Sequence, residues 1–172
     1  MIYIIYDTAL NGLYTLMQLQ QHYPVHESLF KGTRDEPLID VAPYIFLIND
    51  NGEKISSDRE ISIQSILVIE SNQNLEILAS HFREFIYQKI NGRECYFRFW
   101  DARVIKKFLP GCSQMQLSLF FRNINSITVR DEDFVHALQF RVQQSKLYSN
   151  RSLVNGFIPI PDVIPKAMFT EA

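Results

Sequence analysis

One tryptophan, two cysteines and six scattered glycines in 172 residues leave little material for several common kinds of chemistry. Cys95 and Cys112 have neither the count nor the spacing of a disulfide framework or a zinc site, and they suit reduced thiols in a cytoplasmic protein. No glycine-rich loop is available to cradle a phosphate, so no cofactor is expected. A G-x-S-x-G elbow, a Cys–His signature and a paired-carboxylate motif are all missing, which removes the usual nucleophiles and acid–base pairs. Neither sign of charge prevails. Seventeen Lys and Arg face nineteen Asp and Glu for a net charge of −2, so no long-range field draws the chain to nucleic acid or to an anionic membrane. The opening apolar run, Ile2 to Tyr6, has no basic leader and is far shorter than the ~20 residues of a membrane span, and a cytoplasmic location is expected.

What is present is core material. The chain is 47% hydrophobic, with thirteen Phe and eight Tyr; a chain of this length buries roughly 70% of the surface it exposes when unfolded. Residues 2–6 read as a buried strand, followed by a helical period through Leu10, Leu13, Leu16 and Met17. Residues 27–33 suggest a brief strand and turn, and 34–41 a short helix. Residues 44–48 and 66–69 are two further buried-strand runs, with Asn49 to Gly52 a turn and 53–60 a loop. Ser71–Asn72 offer a helix start for residues 73–90, whose apolar face carries Leu75, Leu78, Phe82, Phe85 and Ile86, and Asn91–Gly92 ends it. Cys95 to Trp100 returns as a strand, with Tyr96, Arg98 and Trp100 on one face and Phe97 and Phe99 on the other.

Asp101 caps the next helix, which Pro110–Gly111 ends, and Ser113 with Gln116 fits a capping box that opens a helix over 114–122. Residues 127–129 and 134–142 suggest a late hairpin. Three prolines in FIPIPDVIP forbid a helix or a central strand, so the carboxyl end is expected to be extended, with Phe157, Ile158, Ile160, Val163 and Ile164 free either to wrap the chain's own core or to meet a partner. The expected architecture is a single α/β, or mixed α+β, domain over 1–143, built on a central mixed sheet packed by helices, with an extended tail over 144–172.

Candidate sites are few. His22 and His26 have a helical ligand spacing, but Pro24 lies between them and breaks it. His81 and His136 have no visible catalytic partner and read as a helix-packing and a strand residue. Asp7, Asp40 and Asp101 each adjoin an apolar run, where caps and turns are the ordinary use of aspartate. The aromatic run around Arg98 lacks the glycines of an RNA-binding strand. Arg98, Trp100, Asp101 and Arg103 therefore read as a structural motif in which Asp101 caps a helix and either arginine neutralises it; the rival is a small hydrolase or nuclease using dispersed acidic residues, with Asp101 and Arg103 as its best local pair.

Three ordered segments carry a resemblance. They are Tyr6-Asp7-Thr8-Ala9-Leu10-Asn11-Gly12-Leu13, then Ser28 to Thr33 continuing to Asp40-Val41-Ala42-Pro43-Tyr44, then Glu70-Ser71 through His81-Phe82-Arg83 to Phe97-Arg98-Phe99-Trp100-Asp101-Ala102-Arg103-Val104. Together they resemble the bacterial type VI secretion effector-chaperone, or VgrG adaptor, family, first catalogued as a domain of unknown function. The chain departs from it at Ala102, where the family commonly has proline, at Trp100, where it has tyrosine, and after residue 142, where many relatives carry a further helical lobe. The resemblance implies a non-enzymatic adaptor whose partners are a secreted effector and the VgrG spike. A spike-binding module with no effector client is the variant reading.

Overall fold

The computed structural model describes residues 1–48, 66–131, 136–153 and 170–171. Its frame is an eight-stranded sheet in the order β10-β9-β8-β7-β4-β1-β3-β2. The strands are β1 Ile2–Asp7, β2 His26–Ser28, β3 Pro43–Leu47, β4 Ile66–Glu70, β7 Ser126–Arg130, β8 His136–Gln143, β9 Lys146–Leu153 and β10 Thr170–Glu171. A separate two-stranded hairpin joins β5 Tyr87–Ile90 to β6 Arg93–Tyr96. The α+β architecture is the expected one, but every described pairing is antiparallel where a mixed sheet was expected.

The first strand lies inside the sheet, between β3 and β4, and its residues 3–7 are buried. Strand alternation sends its side chains both ways. The Tyr3 hydroxyl donates to the carbonyl of Gln73, just ahead of helix α3 (Leu75–Ile86), at 2.7 Å. The Tyr6 hydroxyl donates to the carbonyl of Gly12, between α1 (Thr8–Asn11) and α2 (Leu13–His22), at 2.8 Å. Helices thus cover both faces of the sheet at β1. Gly12 sits at φ 90, ψ 158, a conformation open only to glycine, and this is what splits one expected helix into two.

Two remaining helices, α4 (Ala102–Phe108) and α5 (Gln114–Phe120), start as expected on Asp101 and on the Ser113/Gln116 capping box. The third helix starts on Asn74, whose side chain accepts from the Ile77 amide; Ser71 instead donates to the Asn123 carbonyl at 2.6 Å. That helix ends at Ile86, four residues earlier than expected. Asn91 (φ 50) and Gly92 (φ 75) form a two-residue hairpin turn between β5 and β6, not a helix end. The strand expected over 95–100 also ends early, at Tyr96.

Residues 97–100 continue as an arm that keeps the alternation without sheet pairing. Phe97 and Phe99 enter an aromatic cluster: Phe82 stacks on Phe99 with centroids 5.0 Å apart, Phe97 meets Phe108 at 4.4 Å, and Phe120 touches both Phe99 and Phe108. Pairs of this kind each add about 0.5–1.5 kcal/mol beyond their area, so the arm is anchored by its side chains.

The late hairpin is present as β7–β8 and extends further than expected. β9 pairs with β8 from Leu153 opposite His136 to Lys146 opposite Gln143, so the boundary set at 143 falls inside a hairpin and residues 146–153 belong to the sheet. The turn is Gln144–Ser145, with φ 50 and 62. The expected turn over 49–52, the loop over 53–60 and the apolar tail positions lie outside the described residues.

His81, 1% exposed, ties α3 to the end of α5. Its Nε2 donates to the Phe120 carbonyl at 2.8 Å, and the Arg122 guanidinium faces Nδ1 at 3.4 Å. This is a neutral ring, and burial, aided by Arg122, holds its pKa below the ordinary 6.5 against the opposing pull of the Phe120 carbonyl and Glu84. A depressed histidine pKa gives stability that is present above the unfolded value and lost as pH falls through the folded one. Melting temperature should therefore fall as pH drops below about 6.5 in the wild type, and His81→Gln should flatten that slope. An unchanged slope in the variant would assign it elsewhere.

Candidate functional site

The site grows from the end of β1. Asp7 is 2% exposed, and its two carboxylate oxygens have different tasks. Oδ1 accepts from the Ala9 amide at 3.1 Å and so caps α1, while Oδ2 accepts from the Arg98 guanidinium at 2.7 Å. The backbone carbonyl of Asp7 takes the Asn11 side-chain amide at 3.0 Å. Arg98 reaches Asp7 because its neighbours Phe97 and Phe99 are held among the helices, which leaves Arg98 on the opposite side of the arm with Tyr96 and Trp100.

The arm separates two concavities. On one side is a cleft of about 280 Å³ with aromatic walls from Phe30, Tyr96 and Trp100, aliphatic walls from Leu38 and Val41, and Asp7, Arg98 and Asp35 as its polar groups. Leu38 and Val41 come from a 3-10 turn over Glu36–Val41, where a short helix was expected. Burial pushes the Tyr96 phenol well above the ordinary tyrosine range, so it stays protonated at physiological pH. On the other side is an open groove of about 580 Å³ floored by Phe97, Val104 and Phe108 and rimmed by Asp101, Arg103 and Lys107.

The four residues of the expected structural motif therefore divide. Arg98 and Trp100 line the cleft; Asp101 and Arg103 line the groove. Asp101 caps α4 through the Arg103 amide at 2.9 Å and is gripped by the Arg103 side chain at 3.0 and 2.7 Å. The Arg103 hydrogen bonds hold its carboxyl below the usual carboxylate range. Arg103 clamps Asp101, while the Arg98 hydrogen bond goes to Asp7, a pairing across 91 positions that sequence reasoning missed. Phe157, Ile158, Ile160, Val163 and Ile164, expected to meet a partner, lie outside the described residues.

Next to the cleft the surface is apolar. Leu10, Leu13, Tyr14 and Met17 on α1 and α2 are 37–74% exposed, and Leu38, Ile39 and Val41 on the 3-10 turn are 47–53% exposed. The first helix packs against both α2 and the 3-10 turn, which joins the two groups. Leu16 and Leu19 turn inward, whereas Leu10, Leu13 and Met17 of the helical period face out. A signal was available: residues 8–26 contain no Asp, Glu, Lys or Arg, and a helix with a solvated outer face normally carries such charges. Large exposed apolar patches mark interaction surfaces.

Among the described residues no cluster of three or more His, Cys, Asp or Glu is placed to hold a metal ion, and no helix is long and apolar enough to cross a membrane. Residues 2–119 match the family described as Domain of unknown function (DUF4123). The chain belongs to the DUF4123 family. DUF4123 is known as a type VI secretion effector-associated domain, which agrees with the resemblance at the level of the secretion system. No curated protein and no solved structure matches the chain. The DUF4123 match contains the whole cleft and the exposed α1–α2 surface, and it stops within α5, before β7 to β10.

Arg98→Ala strips a buried carboxylate of its charged donor and should destabilise the fold by roughly 1.5–3 kcal/mol in urea. Combined with Asp7→Asn, the loss should be smaller than the sum of the two single losses; additive losses would mean that the two residues act independently. Asp101→Ala should cost about 0.5–2 kcal/mol as a lost cap.

Proposed function

We propose that this DUF4123 chain is a non-enzymatic adaptor that binds a secreted type VI effector in the cytoplasm and helps seat it on the VgrG spike. The observation that carries the proposal is the apolar surface of Leu10, Leu13, Tyr14, Met17, Leu38, Ile39 and Val41, running into an aromatic-walled cleft, in a family associated with type VI effectors. An adaptor has to cover client surface that would otherwise aggregate, and it has to release the client later. Several moderate contacts on an open face suit both needs better than a deep enclosed pocket, because dissociation rate is what sets the lifetime of such a complex. The state of Asp101 also favours binding over hydrolysis: its oxygens are already engaged by the α4 amide and by Arg103, which leaves it poorly suited to act as a general base.

Co-expression with the products of adjacent genes tests the reading. The expected result is a soluble complex with an effector on size-exclusion chromatography, and lower effector solubility or secretion when the adaptor is deleted. The reading fails if neither an effector nor a spike protein co-purifies and deletion leaves effector solubility and secretion unchanged. Spike binding alone, with no effector, would leave a structural module.

A further inference from the structure

The apolar surface has a rim of one sign. Its own residues, 8–26, contribute no charge, and the 3-10 turn beside it brings Asp35, Glu36 and Asp40. The nearby cations are already used. Arg34 pairs with Glu94 and lies over the Tyr87 ring at 4.1 Å, Lys31 pairs with Glu27 at 3.3 Å, and Arg98 is held by Asp7. The Asp35 carboxylate accepts the Tyr87 hydroxyl at 2.7 Å and that of Glu36 accepts the Gly32 amide at 3.1 Å, so both are bound to neutral donors. Among the described residues, these three carboxylates have no ion pair with a basic side chain, and they stand at the edge of an uncharged face. The groove across the arm has the opposite character, with Arg103 and Lys107 against Asp101 alone.

Rim charges choose partners by attraction and by rejection, since like charges brought together on docking are costly. Binding energy itself concentrates where a large side chain fills a desolvated pocket, and the cleft between Phe30, Tyr96 and Trp100 adjoins the patch through Leu38 and Val41. We propose that this surface recognises an effector segment in which a run of large apolar side chains is flanked by lysine or arginine. One apolar side chain of the run enters the cleft, and the flanking cation meets Asp40 and Glu36. The inference rests on the adaptor reading and adds to it the chemistry of the client.

The test uses the full chain co-expressed with its effector. A photo-crosslinking phenylalanine analogue at position 14, replacing the exposed Tyr14, followed by mass spectrometry, should capture an effector segment rich in Leu, Ile or Phe with Lys or Arg beside it. Asp40→Lys should weaken the complex roughly five- to tenfold at low salt, Asp40→Asn by less, and both losses should shrink as salt rises. Met17→Asp should weaken it at every salt concentration. These positions are exposed, so an unchanged circular dichroism melt separates lost binding from lost folding. Capture of an acidic segment, of a second copy of this chain, or of no effector from a complex that still forms would overturn the inference, as would equal affinity in wild type, Asp40→Lys and Met17→Asp. Those results leave the adaptor reading standing. Failure of the wild-type chain to retain an effector at all overturns both.

Discussion

A carboxylate closed off at the end of a central strand must be met by donors, and Asp7 is met by two: the amide that opens α1 and the guanidinium of Arg98. Much of the cleft side of the molecule follows from that meeting. The cap fixes where the chain leaves the sheet, so α1 lies against both α2 and the 3-10 turn. The ion pair fixes where the 97–100 arm crosses, so Tyr96 and Trp100 become cleft walls and Phe97 and Phe99 stay with the helices. Asp7 is fully enclosed while the Arg98 side chain is 44% exposed, so the pair keeps one wet partner. That lowers the desolvation cost which makes fully buried pairs poor stabilisers.

The two faces of the arm differ: one is packed into the core and the other lines the cleft. Toward α3, α4 and α5, aromatic rings pack in stacked, tilted and edge-to-face pairs and fix the arm in place. Toward α1 and the 3-10 turn, the same short run lines a cleft that opens onto exposed Leu, Met and Tyr side chains. A rigid arm matters for an adaptor because a pre-formed cleft loses less ordering entropy on binding than one that must assemble. The His81 ring, held between α3 and α5, is part of the same brace.

Much of this was legible in the sequence. The strand at 2–6, the caps on Asp101 and Ser113 and the sidedness of Tyr96, Arg98 and Trp100 follow from short-range rules of alternation and capping, and the structure carries them all. What was not legible depended on distant partners or on unusual turns. Asn91–Gly92 fits a helix end and a hairpin equally well, and the choice falls to pairing between Tyr87–Ile90 and Arg93–Tyr96. Gln144–Ser145 makes a tight two-residue turn without the Asn or Gly that would advertise it, which hid β9 in the expected tail. The outward turn of Leu10, Leu13 and Met17 was hidden for another reason: spacing shows which residues share a face, not which face is buried.

The central claim is that the surface of α1, α2 and the 3-10 turn is where the client sits. Hydrogen–deuterium exchange on the purified adaptor, alone and bound to its effector, measures this most directly, because amides covered by a partner exchange more slowly. The account predicts new protection over residues 8–17 and 35–41, with little change along α4. Protection confined to α4 and the groove beside Arg103 and Lys107, with residues 8–17 unchanged, would contradict it.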